Sequence, residues 1–563
     1  MPSALYNSMN PLCNTRHSVL TKLNVAYRCI GGGLKGQQQR CNLTLSLRTY
    51  CQHKPPTPHQ QTKDQVDRND QEKRPSSGYA KQDYGNPISR TFGIISSDVR
   101  NFLGLATDAP VNTGQVSDGN DASSGSSLAR HNKRENIWPA HCDVLIVGGG
   151  IIGTSIAYHL KEKALDGLNV VVVEQDNTYK QASTVLSVGG IRQQFSIPEN
   201  ILLSQYGAEF LRHAHQWLAV EGQQHQPPPD VQFKPHGYLT LASHNGLQQL
   251  QQNYQLQREM GCHMELLSGH HLKDRFPWLN TDGVEAGVLG LQDEGWFDPW
   301  ALLMSLKQKA VSLGVEYVEG KVTAMEGESL DDMVVEGKAR ANIKNLRHAK
   351  VQLSNGETRD IKFAIVVVAA GAWTGQMARM VGIGEGTDIM SVPVPVEPRK
   401  RYVYCFHAPE GPGLDAPLTI DPNGTYFRRE GLRGLYLCGQ SPPPDQEPDT
   451  QDLQVDEDFF YNVVWPSIAN RVPSFNELKL HSSWAGYYDY NTFDQNAIVG
   501  LHPMVSNMYL VTGFSGHGIQ QALGVGRAIM EAVLEGEYKT INLERFAFER
   551  VLIDDPLYEE NII

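Results

Sequence analysis

The residues with the plainest chemical meaning are three glycines and an acid. Gly148-x-Gly150-x-x-Gly153 closes the apolar run DVLIVGGG (143–150), and Glu174 stands 21 residues beyond Gly153. Gly148 permits a tight turn off a strand, Gly150 lets the backbone approach a pyrophosphate, and Gly153 lets a helix pack closely on that strand. The backbone N–H groups at Ile151 and Ile152 then face phosphates from the positive end of a helix dipole. A carboxylate ending the next strand, Glu174 followed by Gln175, can take ribose hydroxyls. With no arginine beside it, a 2′-phosphate is disfavoured and NADP is not expected. The spacing fits NAD or FAD equally.

A second glycine turn separates these two. GFSGHGIQQALGVGRAIMEAVLEG (513–536) runs from Gly513 through Gly516, His517 and Gly518 into a helix. Ile519, Leu523, Ile529 and Val533 give that helix its buried face, and Gly524 and Gly526 permit close packing. A second helix tip aimed at the ligand suits a flavin, which becomes anionic near N1 on reduction. A glycine-rich loop before an ordinary core helix is the plainer alternative.

These residues need a scaffold, and the periodicity supplies one. Strand 143–150, helix TSIAYHLKEKALDG (154–167) and strand NVVVVEQ (169–175) form a βαβ unit. Fully apolar strands predict a parallel sheet covered on both faces. Asp298 and Pro299 predict an N-cap and first turn for WALLMSLKQKAVSLG, and AIVVVAAGA (364–372) reads as another buried strand. GYLTLA (237–242), KRYVYCFHA (400–408), TYFRRE (425–430) and LYLCG (435–439) read as antiparallel strands of a second domain. The expected class is α/β. An FAD-binding Rossmann-like domain of glutathione-reductase type (141–230, 291–395, 491–563) is interleaved with an antiparallel-sheet α+β substrate domain (231–290, 396–490). The stretch 328–348 reads as an irregular insertion.

Charge divides the chain. Residues 1–63 carry eight Lys/Arg and no acid, whereas the other 500 residues carry 41 Lys/Arg against 62 Asp/Glu. An acidic body argues against a nucleic-acid partner. The basic head, with Arg16, Lys22, Arg28, Lys35, Arg40 and Arg48 among Ser, Thr and Leu, has the composition of a mitochondrial presequence; a basic tail is the alternative. Residues 64–140 read as a disordered linker, too poor in apolar residues to offset ordering entropy. No CxxC pair or HExxH is present, and the pairs His213/His215 and His270/His271 lack ligand partners, so no metal is expected. No apolar run reaches membrane-spanning length. Arg428-Arg429-Glu430 reads as facing a substrate cavity or as a charged edge strand. The run Trp484, Tyr487, Tyr488, Tyr490 and Phe493 reads as a pocket wall, core packing or a partner contact.

DVLIVGGGIIG, VVVVEQDNTYKQAST, VVVAAGAW and GFSGHG, recurring in that order over 143–545, resemble the D-amino-acid oxidase, sarcosine oxidase and dimethylglycine dehydrogenase family of flavoproteins. The resemblance implies noncovalent FAD, because Leu186 and Tyr487 stand where covalently flavinylated relatives carry a His or a Cys. It implies that Ala182 and Ser183 touch the pyrophosphate, with Gly189 beyond them in the same run. Val322 would meet the adenine edge, Ala370, Gly371 and Trp373 would line the cofactor path, and Gly516, His517 and Gly518 would lie against the flavin. Arg192 falls where relatives hold a substrate carboxylate; a surface or phosphate-pairing role is the alternative reading. Gln520 replaces the lysine that shares that carboxylate, and Tyr436 falls near the lysine that promotes oxygen reduction, which favours a dehydrogenase over an oxidase. The substrate implied is a small amine or amino acid. QASTVLSVGGIRQQFSIPEN, DEGWFDPW, EPRKRYVY, WAGYYDYNTFDQN and the terminal ENII resemble a narrower mitochondrial group within the family. That group implies location on the matrix side of the inner membrane, peripheral membrane association, and complex I subunits or assembly intermediates as partners.

Overall fold

The computed structural model describes residues 138–223, 227–330 and 343–560. The expected presequence and nearly all of the expected linker lie outside them. Trp138, at the start of the described residues, donates through its Nε1 to the Asp360 carbonyl at 2.8 Å.

Two sheets organise the described residues. The first contains β1 (His141–Val147), β2 (Val170–Glu174), β8 (Glu316–Glu319), β9 (Lys321–Leu330), β10 (Ile343–Gln352), β11 (Thr358–Val368), β17 (Ile498–Leu501) and β18 (Met508–Thr512). Its main path runs β17-β18-β11-β1-β2-β8, and β9 and β10 extend it from β11. The pairs β18–β11, β11–β1, β1–β2 and β2–β8 are parallel. The second sheet runs β16-β12-β15-β14-β13-β4-β6-β5. Its strands are β4 (Tyr238–Ala242), β5 (Met264–Ser268), β6 (Ala286–Gly290), β12 (Val396–His407), β13 (Leu418–Ile420), β14 (Tyr426–Glu430), β15 (Leu435–Gly439) and β16 (Lys479–Asn491). One pair there departs from the antiparallel expectation, since β13 joins β4 in parallel. A short antiparallel pair, β3 (Gly190–Ile191) with β7 (Gly295–Trp296), stands apart from both sheets.

Burial explains the apolar strands. β1 sends Val144 and Ile146 into one core and Leu145 and Val147 into the other, and β2 divides its valines in the same way. Both faces are therefore covered, as a parallel sheet requires. Helices α1 (Ile151–Ala164), α2 (Ser183–Leu186), α3 (Pro198–Trp217), α4 (Pro299–Ser312) and α5 (Gly518–Leu534) pack around this framework. The α4 start is the expected one, with Asp298 accepting from the Ala301 N–H at 3.0 Å. Helix α1 starts earlier than the periodicity predicts, at Ile151 with Gly150 as N-cap. The supposed insertion at 328–348 is corrected. The ends of a hairpin enter it from both sides, Ile343 pairing with Leu330, and a bulge between Leu346 and His348 breaks the alternation that would reveal a strand.

Candidate active site

A cavity of about 480 Å³ opens where β1, β11 and β18 end. The carboxyl edge of a parallel sheet is where such folds place ligands. The turn off β1 makes one end of it. Gly148 has φ +104°, and a Cβ there would lie 2.3 Å from the Ala369 carbonyl oxygen. A Cβ on Gly153 would lie 1.9 Å from the Gly148 carbonyl oxygen, so Gly153 serves helix–strand contact beneath the turn and is not part of the wall. Gly150, Ile151 and Ile152 line the cavity, at a helix tip whose N-cap residue Gly150 has no side chain to cap it. Thr184 closes one corner, its Oγ1 accepting from the Ile151 N–H at 3.1 Å.

Glu174 reaches the same end. Its Oε2 accepts from the Gly149 N–H at 2.8 Å and its Oε1 from the Asp176 N–H at 3.0 Å. Burial nevertheless raises its pKa, against those two bonds and the Lys307 charge. Lys307 is buried beneath the following loop, donating to Asn177 Oδ1 at 3.0 Å and the Tyr179 hydroxyl at 2.8 Å. That loop delivers Ala182 and Ser183 to the wall, beside Gln175 and opposite Val322, Ala370, Gly371 and Trp373.

At the other end, side chains dominate. Arg192 is 2% exposed. Its Nη2 lies 3.1 Å from His517 Nε2, and its backbone N–H donates to Gln520 Oε1 at 2.9 Å. Phe195 joins the pair: the Arg192 guanidinium lies 4.8 Å from its ring centre, and the His517 ring stands edge-on to it at 5.2 Å. Burial, then the Arg192 charge, push the His517 pKa down to about 3, so the ring is neutral and presents an acceptor to Arg192. Gly516 and Gly518 hold the loop against neighbours, a Cβ on Gly516 meeting the Tyr488 ring at 2.6 Å.

Sequence reasoning missed several wall residues. Tyr238 and Tyr426 line this end, along with Leu418, Ile420 and Asp489. Burial keeps both phenols protonated, that of Tyr238 pushed up to about 12. Asp489 is pushed up to about 6 by burial, although the Phe514 N–H donates to it at 3.1 Å. Behind Arg192 lies Glu294, fully buried, accepting from the Gln193 N–H at 2.7 Å and Gln194 Nε2 at 2.8 Å. Burial pushes Glu294 up to about 7. In the sequence Glu294 stands beside Asp293 within the run DEGWFDPW, and nothing in that run points to this placement. Tyr488 belonged to the aromatic run, and its neighbour Tyr487 also reaches the wall, whereas Trp484 packs in a separate core and donates to the Leu186 carbonyl at 2.8 Å.

Four expected positions change. Tyr436 is corrected. It is 1% exposed in a different core, stacked on Phe406, with its hydroxyl accepting from the Gly413 N–H at 3.1 Å. β15 contributes no residue to the cavity wall. Gly189 sits between two wall residues but packs on the Phe297 carbonyl, and Gly513 packs on Val396 and Asn491, so each shapes a turn without lining the cavity. Arg428 is neither a cavity wall nor part of an edge strand. It lies on β14, between β13 and β15, pairing with Glu430 at 2.6 Å and donating to the Val188 carbonyl at 3.0 Å. Leu186 and Tyr487 do line the cavity; Leu186 has no nucleophilic group, and the Tyr487 hydroxyl donates to the Thr450 carbonyl at 3.0 Å. Among the described residues no cluster of His, Cys, Asp or Glu could hold a metal, and no helix is long and apolar enough to cross a membrane.

Comparison with known proteins decides the family. Residues 143–532 match the family described as FAD dependent oxidoreductase. The chain belongs to that family. It is 50% identical over 430 residues to a Bos taurus protein named FAD-dependent oxidoreductase domain-containing protein 1, covering 76% of this chain and 88% of that one. A Drosophila melanogaster homologue of the same name is 43% identical over 485 residues, covering 84% and 92%. In structure the chain is similar to an L-proline dehydrogenase from P. horikoshii, with TM-score 0.62, 24% identity, and coverage of 75% of this chain and 100% of that one. This likeness shows the fold.

The cofactor of this FAD-dependent oxidoreductase is FAD, and the residues fit it. The α1 tip with Gly150, and Thr184 beside it, would hold the pyrophosphate, Glu174 the ribose, and the Gly516–Gly518 turn the ring system. The cavity's volume lies within the range of about 300–1,000 Å³ usual for cofactor sites.

Proposed function

We propose that this chain is an FAD-dependent dehydrogenase of small carboxylate-bearing amines, including N-methyl amino acids, passing electrons to an acceptor other than oxygen. One observation carries the reading: Arg192, buried at the cavity end with neutral His517 against its Nη2. A guanidinium suits a carboxylate through its planar fork. His517 fixes the plane of that fork without competing for its charge. Tyr238, Tyr426 and Tyr488, with Leu418 and Ile420, exclude water around the amine and leave it a route to shed a proton to the Asp489 carboxylate. FAD, held noncovalently, supplies the two-electron acceptor. The test is anaerobic mixing of the FAD-loaded chain with N-methylglycine and larger N-methyl amino acids. Bleaching of the flavin in the native chain, lost in Arg192→Ala, supports the reading. An inert flavin across the series contradicts it.

A second role is consistent with the same fold: a mitochondrial protein of the matrix side of the inner membrane, peripheral to it, whose body binds complex I subunits or assembly intermediates. The acid-free head supports the location. Gln520 favours this role, because it brings a neutral amide, already accepting from the Arg192 backbone, where a second cation would strengthen anion capture. Cells lacking the chain and given Arg192→Ala separate the two. Restored complex I with an inert flavin supports assembly without turnover, and failure to restore ties assembly to the site.

A further inference from the structure

Beyond Arg550 the chain returns to the cavity from behind. Arg550 Nε pairs with Asp494 at 2.7 Å, in a bridge that is almost fully buried. The Leu557 N–H donates to the same oxygen of that acid at 3.0 Å, and Asn496 Nδ2 donates to the Leu557 carbonyl at 3.2 Å. The segment then ends its described course on Ser196. Glu559, 6% exposed, accepts from the Ser196 N–H at 2.6 Å and the Ser196 hydroxyl at 2.5 Å through one oxygen, and from Asn200 Nδ2 at 3.0 Å through the other. The Glu560 N–H returns a bond to the Ser196 hydroxyl at 2.8 Å.

Ser196 is the residue after Phe195, whose ring touches both the Arg192 guanidinium and His517. Asn200 continues the network, its Oδ1 accepting from Gln521 Nε2 at 3.0 Å, next to the Gln520 that holds the Arg192 backbone. The Glu559 carboxylate thus fastens together the strand-to-helix turn that carries Arg192 and Phe195 and the helix start that carries Gln520. Two bonds to one oxygen of a buried acid are worth more than neutral pairs and fix the turn in one place. Burial disfavours the charged form of Arg192 and lowers its pKa, and Tyr238, Glu559 and Glu294 act against that loss.

We infer that Glu559 is a positioning residue for the anion-holding end of the cavity, acting on Arg192 and His517 through Ser196 and Phe195. This rests on the reading of Arg192 as a carboxylate anchor.

The experiment uses the full FAD-loaded chain in native, Glu559→Ala and Glu559→Gln forms, with benzoate as the carboxylate probe. Benzoate affinity is read from the flavin absorption, and hydrogen exchange is read over 190–197 and over 143–153. The expectation is intact FAD content in all three and benzoate affinity weakened about tenfold in Glu559→Ala. Glu559→Gln, whose amide oxygen still accepts from Ser196, should lose less than Glu559→Ala. Exchange should quicken over 190–197 and stay unchanged over 143–153. Native-like benzoate binding by Glu559→Ala overturns the inference, as does equal quickening in both segments, which marks a general loosening. If the native chain itself ignores benzoate, the anchor reading fails. Exchange then decides the coupling: selective quickening over 190–197 upholds it, and unchanged exchange there overturns it.

Discussion

The two ends of the cavity are made of different materials. The end near β1 is made of backbone: the turn at Gly148, the α1 tip, and Glu174, whose oxygens already hold two backbone N–H groups. The turn, the tip and the acid lie within one βαβ unit, and Thr184 closes on them from just beyond it. The Arg192 end is made of side chains from six separate stretches, joined by bonds such as Arg192 to His517 across 325 residues. A backbone-built site is shared with the fold, so altering it damages both. A side-chain site can be altered one group at a time while the fold stands.

The largest effect tests that contrast at the backbone end. Gly153→Val should abolish FAD uptake and soluble folding together, since the added atoms fall on the Gly148 carbonyl. Flavin-to-protein absorbance and circular dichroism check this, and a folded, FAD-loaded Gly153→Val would break the contrast. Next comes Arg192→Ala, expected to keep FAD and fold while weakening benzoate by about a hundredfold, in line with the roughly 2–5 kcal/mol typical of a buried charged partner. Loss of FAD in that variant would show that the two ends are not separable.

Glu294 sharpens the comparison through pH. Its carboxyl is raised to about 7 in the folded chain. An acid raised by burial costs nothing while protonated in both states, and its cost grows as pH rises through the unfolded and then the folded pKa. Glu294→Gln should therefore gain stability relative to the native chain between about pH 5 and about pH 8, by on the order of 2 kcal/mol. Urea midpoints at the two pH values read the sign, and a gain confined to the acid side would contradict it. The smallest effect belongs to Tyr436→Phe, which removes one bond to the Gly413 N–H. It should cost about 1 kcal/mol of stability and leave benzoate binding and oxygen reactivity unchanged.

The same contrast explains what the sequence could convey. A glycine turn, a strand and an acid within one βαβ unit are local, and so is the Asp298 cap, so their spacing alone marks them. The Arg192 end is non-local. Tyr238, Tyr426 and Glu294 come together only because β4, β14 and the turn before β7 meet in space. Arg192 and His517 were visible through family resemblance, not through spacing. Tyr436 went astray because the alignment placed it on β15, a strand that contributes no side chain to the cavity. The hairpin ends at 328–348 were hidden by a bulge. Glu559 had no signal at all, because nothing in an acid near Leu557 predicts that it will seat on Ser196.

The central claim is that one cavity grips FAD from the Gly148 turn to the Gly516–Gly518 turn without a covalent bond. Titrating the purified full chain with FAD tests it most directly, followed by acid precipitation. The account predicts uptake to one FAD per chain, a flavin spectrum that benzoate perturbs, and complete release of yellow FAD into the acid supernatant. A folded chain that takes up no FAD, or a flavin that stays with the acid-precipitated protein, would contradict it.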